Sequence, residues 1–183
     1  MRKLTESTLV SLDGVIGDPH VWAAPYFDDA AAAAALEQLE ASDAMLMGRR
    51  TYEIFSHHWP SVPGPYAARL NAMRKYVFSS TLERAEWTNT TIVPGDVPSA
   101  VAELKAQDGL DLVMYGHGRL GRTLLEHRLL DEVRLAVHPV VVGRGTLFFA
   151  EGATAELELV DSRTQPTGVV SLTYRPASHG RPR

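Results

Sequence analysis

Short apolar runs broken by glycine, proline and acidic turns set the rhythm of this chain. Residues 8–12 form a mixed run that stops at Asp13-Gly14, a turn signal, and predict a first strand. A loop through Pro19 and Pro25 follows, carrying Trp22, Tyr26 and Phe27. Asp28 then precedes residues 30–39, a run of strong helix formers, where an aspartate suits the N-cap. Residues 44–47 are continuously apolar and predict a buried strand, leading through Gly48 into a short helix at 51–55. Pro60, Pro63, Gly64 and Pro65 mark an exposed connection. Strands are expected at 75–79, 90–93 and 110–115, and a helix at 97–106. Residues 120–130 read as helical, with Leu124, Leu125 and Leu129 on a buried side. From Asp131 the pattern changes: residues 133–137 and 156–160 alternate, and 169–174 is β-rich. Strands interleaved with helices, then strands alone, predict one α/β domain over residues 1–176. Its sheet should be mostly parallel with an antiparallel C-terminal edge. Residues 177–183 read as a disordered tail.

Composition narrows the function classes. With 183 residues, 45% of them hydrophobic and 22% charged, the chain can bury a core without covalent staples. A formal net charge of −4 argues against a general nucleic-acid or membrane-surface role, while leaving room for a local basic pocket. The absence of cysteine removes disulfides, thiolate metal sites and cysteine nucleophiles, and fits a reducing cytoplasm. Residues 1–6 have no apolar core of signal-peptide length, and the apolar run at 30–36 is far too short to span a bilayer. The seven histidines form no metal-ligand pattern, so no metal is expected. Adjacent His57 and His58 would diverge by about 100° on a helix.

Candidate chemistry sits at two glycine-bearing turns. Gly48-Arg49-Arg50-Thr51 and Tyr115-Gly116-His117-Gly118-Arg119-Leu120 each follow an apolar run and open a helical pattern. Backbone N–H groups and the positive end of a helix then face one spot, which suits a phosphate. Two arginines at a helix start oppose the macrodipole, a cost that a bound anion offsets. Two such turns point to a cofactor with separated phosphates; a solvated basic surface and plain tight turns remain the alternatives. Gly116–Gly121 also matches G-x-G-x-x-G, so a Rossmann fold is a rival. The motif falls late in the chain, however, and lacks an acidic residue about twenty positions on.

Together with Ser11-Leu12-Asp13-Gly14-Val15-Ile16-Gly17, these motifs resemble the dihydrofolate-reductase-like superfamily. Pro139-Val140-Val141-Val142-Gly143-Arg144-Gly145-Thr146-Leu147-Phe148-Phe149 is similar to the branch containing the reductase domain of riboflavin biosynthesis. The resemblance runs from about Lys3 to Arg175. It implies a three-layer fold with helices on both sheet faces and an NADPH-dependent reduction of a small heterocycle or carbonyl. A ribosylaminouracil phosphate is the leading substrate, a divergent pterin reductase or a non-catalytic NADP-binding module the alternatives. The resemblance implies that Gly48, Arg49, Arg50 and Thr51 hold the pyrophosphate and 2′-phosphate side of NADPH. Ser79, Ser80 and Thr81 would lie near the 2′-phosphate, and Tyr115, Gly116, Gly118, Arg119 and Leu120 would form the second turn. Leu9 and Ile16 would line the nicotinamide. Asp13 and Trp22 would face substrate in a loop that closes over it. The family usually carries Gly-Gly, often cis, where this chain has Gly116-His117; the loop is expected to differ, with His117 free to donate to a phosphate. Asp28 is either a substrate-side acid, as in folate-type relatives, or a helix cap; the cap is favoured. The apolar segment ending in Phe148 and Phe149 is read as a strand at a sheet margin and predicts a homodimer.

Overall fold

The computed structural model describes residues 1–177; the expected tail beyond Ala177 lies outside them. Eight strands are present among the described residues: β1 (Leu4–Ser11), β2 (Ser42–Gly48), β3 (Arg74–Phe78), β4 (Thr90–Val93), β5 (Asp111–Tyr115), β6 (Glu132–His138), β7 (Leu157–Thr164) and β8 (Val170–Pro176). Helices intervene as α1 (Pro19–Trp22), α2 (Asp29–Glu40), α3 (Arg49–His58), α4 (Pro65–Ala72), α5 (Val97–Ala106) and α6 (Gly118–Glu126). The strands make one sheet in the order β4-β3-β2-β5-β1-β6-β8-β7, parallel from β4 to β6 and antiparallel at β8 and β7. No described helix is long and apolar enough to cross a membrane.

Continuous apolar runs become strands covered on both faces. In β2, Ala44 and Leu46 join Val101, Leu104, Leu120 and Leu124 beneath α5 and α6. Met45 and Met47 point the other way and join Leu39, Tyr52 and Leu70 beneath α2, α3 and α4. Strand pleating sends successive side chains to opposite faces, so helices on both sides are needed to keep such a run dry. Each fully buried leucine is worth about 1.5–3 kcal/mol.

Four expectations need correction. The first strand starts at Leu4, not Thr8: Thr5, Glu6 and Ser7 looked polar, but ladders to β5 and β6 on either side bury most of this strand. The helix from Gly118 ends at Glu126 rather than Leu130. Arg128 there takes a left-handed φ of 56°, and Leu129 N–H returns to Leu124 O at 2.8 Å. Helix α4 lies within the breaker-rich connection, with Pro65 in its first turn, where a missing N–H costs nothing. Finally, residues 139–149 are not a strand. β6 stops at His138 because Pro139 has no N–H for the ladder, and the sheet margin is β7 instead.

Candidate functional site

The parallel strands all end on one sheet edge, at Ser11, Gly48, Phe78, Val93, Tyr115 and His138. From β2 the chain runs through α3 outward to β3. From β5, the neighbour of β2, it runs through α6 the opposite way, past β1 to β6. Adjacent strands whose helices diverge leave a crevice beyond their carboxyl ends, the usual ligand position in open α/β sheets. Here that crevice lies between Gly48 and Gly116.

Both helices at the crevice start without a side-chain cap: Gly48 offers none to α3, and His117 makes none to α6. Their first backbone N–H groups are therefore available to an anion. The two turns also touch. Gly116 has φ 77°, and a Cβ on it would collide with the Thr51 hydroxyl of α3. Glycine is required there for conformation and for close approach.

The loop after β3 joins from the side. Arg49 Nη1 donates to Thr81 Oγ1 at 2.8 Å, while its Nε pairs with Glu53 Oε1 at 2.6 Å. Arg50 is exposed, and no ion pair engages it among the described residues. Ser79 Oγ accepts from the N–H groups of Thr81 and Leu82, so it shapes its own turn; Ser80 is exposed beside it. Gly48, Arg49, Thr51, Thr81 and Gly116 thus form one continuous surface. Gly118 and Arg119 are exposed at the second turn, whereas Leu120 points into the core at 7% exposure. Tyr115 closes the floor with its hydroxyl 3.3 Å from that of Tyr66. Burial holds its phenol well above the ordinary range, with Tyr66 adding to the effect, so it remains protonated.

His117 corrects the expectation of a phosphate donor. Its ring is buried, its Nδ1 lies 2.8 Å from Glu6 Oε1, and it stacks on Phe148 with centroids 4.2 Å apart. Only its backbone faces the turn. Every described peptide bond, that between Gly116 and His117 included, is trans. Glu6 was missed in the sequence because it sits at a buried position of β1 where its neighbours give no apolar alternation.

On the far side, residues 12–17 are tied to residues 140–148. Leu12 N–H donates to Val140 O at 2.9 Å, Ile16 N–H to Thr146 O at 2.8 Å, and Phe148 N–H to Gly14 O at 2.8 Å. Asp13 locks this seam. Its carboxylate accepts from Ser11 Oγ at 2.6 Å and from the N–H groups of Val142 and Gly143 at 3.1 and 2.6 Å. The Ser11 bond, then the two amides, pull its pKa down to about 2. Asp13 thus latches the loop in which a substrate contact is expected of it. Phe148, expected at an interface, is internal, and Phe149 packs against it.

Trp22 donates Nε1–H to Gly17 O at 2.9 Å and lays its ring edge against His138, as does Tyr26. Burial pushes the His138 imidazole below its ordinary range, and its Nδ1–H donates to Ala136 O at 2.9 Å. Leu9, 38% exposed, offers an apolar patch on the sheet near this loop, while Ile16 packs into the cluster beneath α6. Leu9 and Ile16 therefore serve different faces. Asp28 Oδ1 accepts from Ala31 N–H at 2.8 Å, the geometry of a helix N-cap. Among the described residues no three metal-ligating side chains converge.

Residues 2–171 match the model of the RibD C-terminal domain. A Bacillus subtilis (strain 168) relative, the uncharacterized protein YyaP, is 30% identical over 138 residues, which are 72% of this chain and 73% of that protein. Among solved structures, a putative riboflavin biosynthesis protein from Shewanella sp. PV-4 superposes with a TM-score of 0.75 at 22% identity, covering 97% of this chain and all of that one. A diaminohydroxyphosphoribosylaminopyrimidine deaminase/5-amino-6-(5-phosphoribosylamino)uracil reductase from Thermotoga maritima superposes at 0.67 with 17% identity. There the match covers 96% of this chain but 57% of the other. At these identities the structures establish the shared fold.

Proposed function

The chain belongs to the RibD C-terminal domain family, and from that membership we propose that it is an NADPH-dependent reductase acting on a small heterocyclic or carbonyl substrate. The observation that carries the reading is the pair of uncapped helix starts, α3 and α6, meeting at the divergence of β2 and β5. Two anion sites in contact suit a pyrophosphate. Arg49, Arg50, Ser80 and Thr81, to the β3 side, would hold the 2′-phosphate, and Leu9 would lie under the nicotinamide. When bound, NADPH supplies the hydride.

The protein's part is orientation and exclusion of water. The Asp13 latch holds residues 12–17 against 140–148, and the Trp22–His138–Tyr26 stack holds the loop ahead of α2 over the sheet. A closed loop there keeps water from the transfer step. By its chemistry and its relatives, 5-amino-6-(5-phosphoribosylamino)uracil is the first substrate to try. We place the protein in the cytoplasm, as a homodimer, without nucleic-acid or membrane partners. The second reading, a module that binds NADP without turnover, draws on one observation: Asp28, the one candidate for a substrate-side acid, is engaged as the helix cap that the sequence favours.

The test is absorbance at the reduced-nicotinamide band with that uracil derivative and NADPH present. Substrate-dependent NADPH oxidation is expected. Tight NADPH binding with no NADPH oxidation in the presence of any pyrimidine, pterin or carbonyl substrate would favour the binding module.

A further inference from the structure

We propose that Tyr115 donates the proton of the reduction, with Tyr66 acting through it as a positioning residue, and that the acceptor is a carbonyl or imine bond borne by a flat ring. The ring would lie in a trough between two aromatic walls, one of which these tyrosines help to build. The proposal rests on the reductase reading given above and supplies its acceptor side.

The first wall is a closed set of four half-buried rings. Between centroids, Tyr115 lies 5.8 Å from Phe55, Phe55 6.0 Å from Trp59, and Trp59 5.1 Å from Tyr66. The Tyr66 and Tyr115 hydroxyls complete the circuit at 3.3 Å. The second wall is the Trp22–His138–Tyr26 stack. β1 runs between them. Ser7 pairs with Tyr115 on one side and with Arg134 of β6 on the other, and Ser11 pairs with His138. Paired residues and those two apart share a face, so Leu9 floors the trough on the same side of the sheet as Tyr115 and His138. The walls stand two strand spacings apart, roughly 10 Å, room for one flat ring against aromatic faces.

The two hydroxyls share one hydrogen bond, which uses one of their two hydrogens; among the described residues no protein acceptor takes the other. On the opposite wall, Trp22 spends its Nε1–H on Gly17 O and His138 its Nδ1–H on Ala136 O, while Asp28 caps α2. The spare tyrosine hydrogen is therefore the donor fixed on rigid elements beside the trough. Burial first, then Tyr66, keep Tyr115 protonated, and Arg134 pulls the other way, towards the phenolate that donation leaves. In the balanced step the acceptor carbon takes the hydride that the bound cofactor supplies. The π electron pair moves to the oxygen or nitrogen, and Tyr115 gives that atom its proton. Tyr66 passes its own proton to Tyr115 and recovers one from solvent. One hydride and one solvent proton are thus added across the double bond, and the cofactor is oxidised by two electrons. An alkoxide or amide anion is more basic than a phenolate, so the proton moves towards substrate. Charge on the acceptor atom develops only as the hydride arrives, which is when the hydroxyl helps most.

The test combines binding and turnover, with 5-amino-6-(5-phosphoribosylamino)uracil and biopterin as probes. Calorimetry on the NADP⁺-saturated chain should show at least one probe binding the wild type. Tyr115→Phe should weaken that probe about five- to tenfold, the loss of one hydrogen bond, with NADP⁺ affinity within twofold of the wild type. With NADPH, Tyr115→Phe should lower kcat roughly 10²–10⁴-fold. Tyr66→Phe should lower kcat about tenfold with KM unchanged, because Tyr115 then donates without its partner. A merely structural role would instead move KM, NADP⁺ affinity and melting temperature together, and Tyr66→Phe reads the relay alone if Tyr115→Phe does not fold. The proposal is overturned if neither probe binds the wild type, if Tyr115→Phe binds as tightly, or if the variants keep the wild-type kcat. That last result, with the wild type turning over, would leave the reductase reading intact. Probe binding that depends on Tyr115 but never oxidises NADPH would remove the reductase reading, and proton donation with it.

Discussion

Asp28 shows how one side chain can suit two roles until its hydrogen bond is known. Its carboxylate accepts the Ala31 N–H at the head of α2, so Asp28→Asn should keep the cap, and turnover should stay near that of the wild type. Asp28→Ala should instead lower stability by about 1 kcal/mol. A fall in kcat of roughly 10²–10⁴-fold in Asp28→Asn, with an unchanged melting temperature, would reveal a proton donor instead. Asp13 makes a pH prediction. Its pKa is depressed from 3.8 to about 2 in the folded chain, so the stability it lends is complete above about pH 4 and is lost as pH falls through 2. Melting curves of the wild type and Asp13→Asn should differ near neutrality and converge across that window. A constant difference down to pH 2 would show that the carboxylate is not the latch.

At the scale of elements, the start of α3 is where the proposed preference for NADPH can be tested. Arg49 reaches the loop after β3 through Thr81, and Arg50 is exposed at the same helix start. Replacing both with alanine should weaken NADPH by about 1–3 kcal/mol while NADH changes little, because charge-assisted hydrogen bonds to the 2′-phosphate are removed. Equal loss for both nucleotides in a fluorescence titration would move the 2′-phosphate elsewhere. Elements with clear apolar periodicity and sharp breakers were legible at this scale. β4 and α5 fall on their expected residues, and β2 and α2 extend only a residue or two beyond theirs. α4 was hidden among prolines, although Pro65 just after Gly64 is itself a start signal.

For the whole molecule, the exposed margin leads to a prediction about association. Residues 139–149 fold back over the loop at 12–17, which leaves β7 as the terminal strand, with Leu159 and Val160 more than half exposed. An uncovered edge of eight residues is a template for another chain, and a homodimer with β7 at its interface is expected. Light scattering should give twice the 20.1 kDa of one chain, and Val160→Lys should shift it towards the monomer. A monomer mass for the wild type at micromolar concentration would refute this. By itself the sequence determined the layered α/β arrangement and the two glycine-led turns that open α3 and α6, because periodicity and glycine spacing act over a few neighbouring residues. Tertiary structure alone decided that Gly116 abuts Thr51, that Asp13 grips the amides of Val142 and Gly143, and that Glu6 meets His117 across 111 positions. Those contacts depend on which strands lie side by side, and strand order is set by how crossovers bury both faces of one sheet, a property of the whole chain rather than of any local pattern.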